Sequence, residues 1–158
     1  MTLNLRSETG HEIFMSLAKK ADIIVEGFRP GVVERLGIDY EAVREINPRI
    51  VYCAISGYGQ NGPYRLRAGH DVNYCSYAGV TDQIGVADGP PVVPNFQIAD
   101  VLGGGPSAAI GILGALVDAK LNGEGRYVDV SMTDCTLAHA VIAFTNMLDY
   151  ERPLERGE

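Results

Sequence analysis

The sequence predicts an α/β protein in which a mostly parallel sheet is flanked by helices. Short apolar runs of strand length alternate with longer runs of helical periodicity, and Gly, Pro and Asn residues separate them. Helices between successive strands favour parallel pairing. The chain has 158 residues, of which 46% are hydrophobic, so it is long and apolar enough to form one globular domain with a buried core.

Capping and breaking residues define the elements of the first half. Ser7 is a preferred N-cap for a helix that runs to about Lys20 with one apolar face. The other predicted elements are a buried strand at 22–25, a turn at Arg29-Pro30-Gly31, helices at 32–36 and 40–46, a break at Asn47-Pro48, a strand at 50–55 and a loop at 56–67.

The second half is read in the same way. Residues 69–77 are predicted to be helical, and 81–94 to be irregular and exposed because this stretch contains three prolines and two glycines. Asp100 is predicted to precede a helix of about 20 residues that ends near Leu121 and is stopped by Asn122-Gly123. A strand at 127–131 and an amphipathic helix at 133–148 follow. The charged tail from 149 to 158 is interpreted as an unanchored end.

Charge and cysteine content exclude several classes. The net charge is −7 with a pI near 4.9, which argues against a nucleic-acid surface but leaves room for an anionic ligand held by a few arginines. Cys53, Cys75 and Cys135 have no metal-ligand spacing, so free thiols in a reducing compartment are predicted. No signal peptide is predicted, and the apolar stretch 108–117 is too short to span a membrane. We therefore expect a cytoplasmic protein without nucleic-acid or membrane partners.

The candidate catalytic residues are His70 and Asp100. Imidazole and carboxylate both take and give protons near neutral pH, as chemistry beside a carbonyl requires. Asp71 is adjacent to His70, but neighbouring helical side chains diverge, so we expect Asp71 to bond a backbone group instead. The alternative for Asp100 is an ordinary helix N-cap. His11 and His139 are interpreted as structural.

Two further sets of residues can each be interpreted as ligand-binding residues or as ordinary structural or surface residues. Gly103, Gly104 and Gly105 would allow a ligand to approach the backbone, where N–H groups could stabilise an oxyanion, or would serve equally well in tight helix packing. Arg29 and Arg35 flank a turn and a short helix, and could grip phosphate oxygens or be solvated surface arginines. No nicotinamide fingerprint and no metal site are predicted.

The order of motifs resembles the family III CoA-transferase superfamily, and within it the α-methylacyl-CoA racemase branch. The resemblance covers nearly the whole chain. It is carried by the segments D22-IIVEGFRPG-31, E34-RLG-37, N47-PR-49, S56-GYGQ-60 with G62-P63, G69-HDVNY-74, I98-ADVLGGG-105 and G123-EGR-126 with V128-DV-130.

This resemblance implies a partial Rossmann-like large domain over 1–148, with 149–158 beginning a connection to a small domain. Family members are longer at both ends and form homodimers, and the racemases use a downstream glutamate to support the histidine. The resemblance therefore implies an isolated chain that is inactive. It assigns the catalytic roles to His70 and Asp100. It also implies that the residues contacting CoA or substrate are Arg6, Arg29, Arg35, Gly69, Asp71, Asn73 and Tyr74.

Three functions follow from the resemblance. The first is epimerisation of C2 in 2-methylacyl-CoA thioesters by 1,1-proton transfer; His70 favours it, because the related transferases usually carry an aromatic residue at this position. The second is CoA transfer between carboxylic acids through an Asp100-CoA intermediate. The third is a truncated, non-catalytic CoA-binding module. None needs a metal or organic cofactor, since CoA is part of the substrate.

Overall fold

The computed structural model describes residues 1–157. Its strands are β1 (Ile23–Glu26), β2 (Val51–Ser56) and β3 (Tyr127–Ser131). Its α-helices are α1 (Glu8–Ala18), α2 (Val32–Leu36), α3 (Tyr40–Ile46), α4 (Asp71–Tyr77), α5 (Gly105–Asn122), α6 (Met132–His139) and α7 (Val141–Tyr150). A 3₁₀ turn covers Thr81–Gln83, and a π-helical turn, the π segment, covers Ile98–Gly104 and leads directly into α5.

Internal contacts divide the chain into two compact units. The first contains Met1–Ser56 and Ala108–Val130, and the second contains Gly57–Ser107 and residues 131–157. The boundary predicted at 148, between a large-domain segment and a tail, stays a prediction. Glu158, the last residue of that predicted tail, lies outside the described residues.

The first unit is built on a parallel three-stranded sheet. Its strand order is β1-β2-β3, with Ile23 opposite Val51 and Glu26 opposite Ala54. The central strand β2 is buried, as its near-continuous apolar sequence predicts for a strand covered on both faces. The core of this unit includes Ala18, Val43, Ile50 and Tyr52, packed against residues of α1 and α3. The prediction of an α/β fold with a parallel sheet is confirmed.

The second unit is held by contacts among α4, the π segment and α6. Tyr74 and Cys75 of α4 form a buried cluster with Ala99 of the π segment, and Met132 of α6 packs against it. The N–H and hydroxyl of Thr133 both donate to the carbonyl of Gly57, at 3.0 and 2.7 Å, and tie α6 to the chain that follows β2. These contacts position the residues from which the candidate site is built.

Three local predictions are wrong. The helix around Asp100 begins at Ile98, so Asp100 lies inside a π turn and Gln97 is the N-cap. The helix predicted at 133–148 is two helices, because Ala140 has ψ 44° and interrupts the α-helical hydrogen bonds. The tail is anchored, because the Arg156 guanidinium donates to the Asp82 carbonyl and carboxylate at 2.8 and 2.6 Å.

The helical run through the π segment and α5 is longer than the apolar stretch 108–117 that is evident from the sequence. Ile98–Asn122 spans 25 residues and has the length and composition of a membrane-crossing helix. Core helices of soluble proteins share those properties, so the finding alone does not assign a membrane role. On α5, Ile110, Leu113, Val117 and Leu121 are exposed at helical spacing.

Candidate active site

The segment Gly69–Tyr74 holds His70 at the start of α4. His70 is the N-cap residue in an extended conformation, and its side chain is exposed. Its N–H donates to the Asn73 side-chain oxygen at 2.9 Å. In this arrangement, known as a capping box, a side chain of the first helical turn reaches back to the N–H of the N-cap residue. The Tyr74 hydroxyl donates to the Gly69 carbonyl at 2.7 Å. The side chains of Asn73 and Tyr74 therefore hold the two ends of the peptide group that joins Gly69 to His70.

The ring of Tyr74 lies so close to two backbone positions, 57 and 69, that both must be glycine. A Cβ atom on Gly69 would lie 2.5 Å from the ring, and one on Gly57 would also collide with it. The ring of Tyr58 meets Tyr74 edge-on, with centroids 5.2 Å apart. These contacts explain Gly69, Asn73 and Tyr74 as supports for His70. The ligand contacts that the resemblance implies for these three residues stay predictions.

Asp100 presents one satisfied and one unsatisfied polar group. Its backbone N–H donates to Asp71 Oδ1 at 2.9 Å. Its own Oδ1 is buried and has no hydrogen-bond partner among the described residues. A buried carboxylate oxygen without a donor is costly in a folded protein, and such groups concentrate where a ligand or substrate supplies the missing partner.

Burial and a neighbouring carboxylate raise the pKa of Asp100. Removal from water is the larger cause, the negative charge of Asp71 is the second, and the charge of His70 acts in the opposite direction. A carboxylate with a raised pKa is a stronger base, as abstraction of a weakly acidic C–H proton requires. The hydrogen bond between the Asp100 N–H and Asp71 Oδ1 brings Asp100 to the start of α4, where His70 lies.

Asp71 bonds a backbone group and does not orient His70, as the sequence predicts. Its Oδ1 accepts the N–H of Asp100, which is 29 positions away, so the sequence could not identify this partner. Its other oxygen faces the Cys75 thiol at 3.7 Å. Cys75 is the residue that sequence reasoning missed. The available signal was its position four residues after Asp71, on the same face of α4.

The glycine triplet packs against α6. A Cβ atom on Gly103 would lie 2.5 Å from the Thr136 hydroxyl, and one on Gly104 would lie 3.0 Å from the Met132 side chain. Gly105 has open space around it, and its N–H donates to the Val101 carbonyl. The contacts favour the packing interpretation for Gly103 and Gly104, and the oxyanion role stays a prediction.

A cavity of about 610 Å³ lies on a different face of the π segment. Ile98, Leu102 and Gly103 line it together with residues of α6 and α7, whereas Asp100 does not. Its walls are mostly apolar, with Gln83, Thr136 and His139 as polar exceptions. This cavity is therefore separate from the carboxylate that carries the candidate chemistry.

The predicted anion-binding arginines lie in the first unit. Arg6, Arg29 and Arg35 are exposed, and none of them forms an ion pair with another residue in the range 1–157. The Arg29 carbonyl accepts the Val32 N–H at 3.1 Å, and an Arg35 guanidinium nitrogen lies 3.4 Å from the position of a Cβ on Gly31. Arg29 and Arg35 thus bracket one turn and carry charges available to an anion.

The two other histidines make structural contacts, as predicted. The His11 ring bonds the Gly37 carbonyl at 3.0 Å, and the His139 ring bonds the Cys135 carbonyl at 2.6 Å. The cysteines are free, with Cys53 and Cys75 buried and Cys135 partly buried. No group of three or more candidate metal ligands occurs within residues 1–157.

Comparison with known proteins places these features in context. The family model for CoA-transferase family III matches residues 1–157. An acetyl-CoA:oxalate CoA-transferase of Acetobacter aceti is 40% identical over 92% of this chain and 38% of its own length. An alpha-methylacyl-CoA racemase of Homo sapiens is 38% identical over 86% of this chain and 36% of its own length. The crystal structure of a CAIB/BAIF family protein from Brucella suis superposes with a TM-score of 0.95 at 32% identity, covering 99% of this chain and 41% of that one.

Proposed function

The chain belongs to CoA-transferase family III, and on that premise we propose that its protein is an acyl-CoA racemase acting on 2-methylacyl-CoA thioesters. The observation that carries the proposal is the hydrogen bond from the Asp100 N–H to Asp71 Oδ1, which brings Asp100 to the start of α4, where His70 is the N-cap residue. Both His70 and Asp100 are groups that can take and give a proton. The chain spans 36% of the length of the human racemase relative. The activity is therefore proposed for a polypeptide of the full length of that relative.

The proposed reaction moves one proton off C2 and returns another to the opposite face. The thioester carbonyl makes the C2 hydrogen acidic; one base takes that proton, and the C–H electron pair moves into a planar enolate. The conjugate acid on the other side then donates a proton to C2 and restores the carbonyl. Asp100 and His70 are the two groups, and they exchange roles with the direction of the reaction. No metal or organic cofactor is part of this proposal.

The test is a chimera in which this chain replaces the matching segment of the human racemase relative. In deuterated water, a racemase incorporates deuterium at C2 of a 2-methylacyl-CoA in the absence of any acceptor acid. Mass spectrometry of the recovered thioester measures this incorporation. A chimera that folds and binds the thioester but incorporates no deuterium would contradict the proposal.

The second candidate is CoA transfer, favoured by the identity with the Acetobacter transferase and by the unpartnered Oδ1 of Asp100. In this reaction Asp100 attacks the thioester carbonyl and expels CoA thiolate, which leaves an acyl-aspartyl anhydride. The thiolate then attacks the aspartyl carbonyl of the anhydride, releases the carboxylic acid and gives an aspartyl-CoA thioester. This reaction requires a second carboxylic acid as acceptor.

Arg35→Ala is expected to weaken CoA binding by about tenfold or more. A charge-assisted phosphate contact contributes about 1.5–3 kcal/mol, and 1.4 kcal/mol corresponds to tenfold in affinity. Calorimetric titration of CoA into the chimera measures the change. Arg49→Ala removes an exposed arginine of the same unit as a matched control and is expected to bind CoA like the parent. Equal affinities of Arg35→Ala and the parent would remove Arg35 from the binding site.

A further inference from the structure

The π segment begins without a side-chain cap of its own. Its N-cap residue, Gln97, makes no side-chain hydrogen bond to the first turn. Helix starts leave several N–H groups without intrahelical partners, and these groups must be satisfied elsewhere when they are buried. Ala99 is fully buried, so its N–H cannot turn to solvent.

A side chain of α4 supplies one of the missing acceptors. Asp71 Oδ1 accepts the N–H of Asp100 at 2.9 Å. Cys75 packs against Ala99 in the buried cluster that joins α4 to the π segment. Asp71 and Cys75 are four residues apart and so lie one above the other on α4. The start of the π segment is therefore held by two successive turns of another helix.

Asp71 and Cys75 are also linked to each other. The Cys75 thiol donates to Asp71 Oδ2 at 3.7 Å, within the range for a hydrogen bond to sulfur. Burial is the main cause that raises the pKa of Cys75, and the charge of Asp71 is the second. Cys75 therefore remains a protonated thiol at neutral pH, able to donate to the Asp71 carboxylate.

We propose that Asp71, braced by Cys75, caps the π segment and positions Asp100, with Cys75 acting as a positioning residue for the proton transfer. The thiol holds the Asp71 carboxylate in place, and that carboxylate holds the Asp100 backbone. The importance of this placement for catalysis rests on the proposed function. Within residues 1–157, the titratable groups whose charge acts on Asp100 or is acted on by it are Asp71, His70 and Cys75, all from α4 or its N-cap. On the α6 side, the π segment meets Met132 and Thr136, which do not titrate in this range.

The first test compares amide hydrogen exchange in the ¹⁵N-labelled chain and two variants of nearly equal volume. Cys75→Ala removes the polar contacts, whereas Cys75→Ser keeps a donor and an acceptor. We expect Ala99 and Asp100 amides to exchange about threefold to tenfold faster in Cys75→Ala, as loss of one hydrogen bond implies. In Cys75→Ser, they should stay within about twofold of the parent. Cys135→Ala is the control for removal of a thiol outside the cap.

The second measurement is the Asp100 carboxyl titration, followed by ¹³C NMR. In Cys75→Ala the Asp71 carboxylate is released, so the pKa of Asp100 is expected to move down toward the ordinary aspartate value, and Cys75→Ser should restore it. Exchange and titration that are the same in Cys75→Ala and Cys75→Ser would overturn the proposal. So would faster exchange spread equally over β2, which would indicate general destabilisation.

These measurements separate the two proposals. Neither needs turnover, so the cap is supported or overturned whatever the deuterium assay of the chimera shows. Local changes at Ala99 and Asp100 in a protein whose chimera exchanges no deuterium would support the cap and count against the racemase. An active chimera whose Cys75 variants leave amide exchange and the Asp100 titration unchanged would support the racemase and count against the cap.

Discussion

Replacing Asp100 with asparagine is expected to slow deuterium exchange at C2 of the thioester by about 10²–10⁴-fold, the usual contribution of a positioned general acid or base. Asparagine has almost the same shape and leaves the backbone contact with Asp71 Oδ1 available. It cannot take or give the proton at the reacting carbon. The loss should therefore fall on catalysis while CoA binding is retained, which calorimetry of the same variant checks.

The matched control is Asp134→Asn, which neutralises an exposed carboxylate in the first turn of α6 in the same unit. We expect the control to exchange deuterium at the parental rate. Exchange by Asp100→Asn within about threefold of the parent would show that Asp100 does not carry the proton transfer.

The same substitution is expected to stabilise the fold at neutral pH. Because the pKa of Asp100 is raised in the folded chain, the folded state binds more protons than the unfolded state from the ordinary aspartate value of about 3.9 up to the raised value. Stability therefore falls as the pH rises through that window, and the loss persists above it. Asparagine removes this loss, so the free energy of unfolding should exceed that of the parent at pH 7 and approach it below pH 4. Urea unfolding at the two pH values measures the difference.

Elements specified by neighbouring residues were predictable from the sequence. Ser7 caps α1 by accepting the Gly10 N–H at 3.1 Å, and Asp39 caps α3 in the same way through Glu41 and Ala42. Helices α2 and α3 have the predicted bounds: the turn that ends at Gly31 precedes α2, and Gly37 and Asn47 end α2 and α3. In each case the partner lies within a few positions of the residue that signals it.

The π segment could not be predicted, because its cap comes from a different helix. Asp100 carries a residue type that favours an N-cap, yet its N–H is bound by Asp71 and the helix starts two residues earlier. The anchoring of Arg156 by Asp82, 74 positions apart, has the same origin. Long-range contacts of this kind leave no periodic or capping pattern in the sequence.

The candidate site shows the same division. His70 and Asp100 could be selected by chemistry, since their types suit proton transfer at neutral pH. The supporting residues could not be assigned in this way. Gly69, Asn73 and Tyr74 have side chains or conformations that suit ligand binding equally well, and only their contacts show that they brace the start of α4.

Replacing His70 with alanine is expected to stop deuterium exchange for one enantiomer of the 2-methylacyl-CoA before the other. A racemase needs one group on each face of the enolate, so loss of one group leaves exchange from the remaining face. Incubation of each pure enantiomer with the chimera in deuterated water measures the two rates separately. The control is His139→Ala, which removes a ring that bonds the Cys135 carbonyl, and it should leave both rates unchanged.

The His70 variant separates the two family reactions, because only the racemase uses a second proton-transferring group. A transferase would give no exchange without an acceptor acid, and its rate would depend on His70 only through binding. Hydroxylamine would then attack the aspartyl-CoA thioester, release CoA and leave a hydroxamate on Asp100, which peptide mass spectrometry detects. A parent chimera that forms this adduct and exchanges no deuterium would overturn the racemase assignment. Unequal loss of exchange in His70→Ala, with no adduct, would place His70 on one face of the substrate and Asp100 on the other.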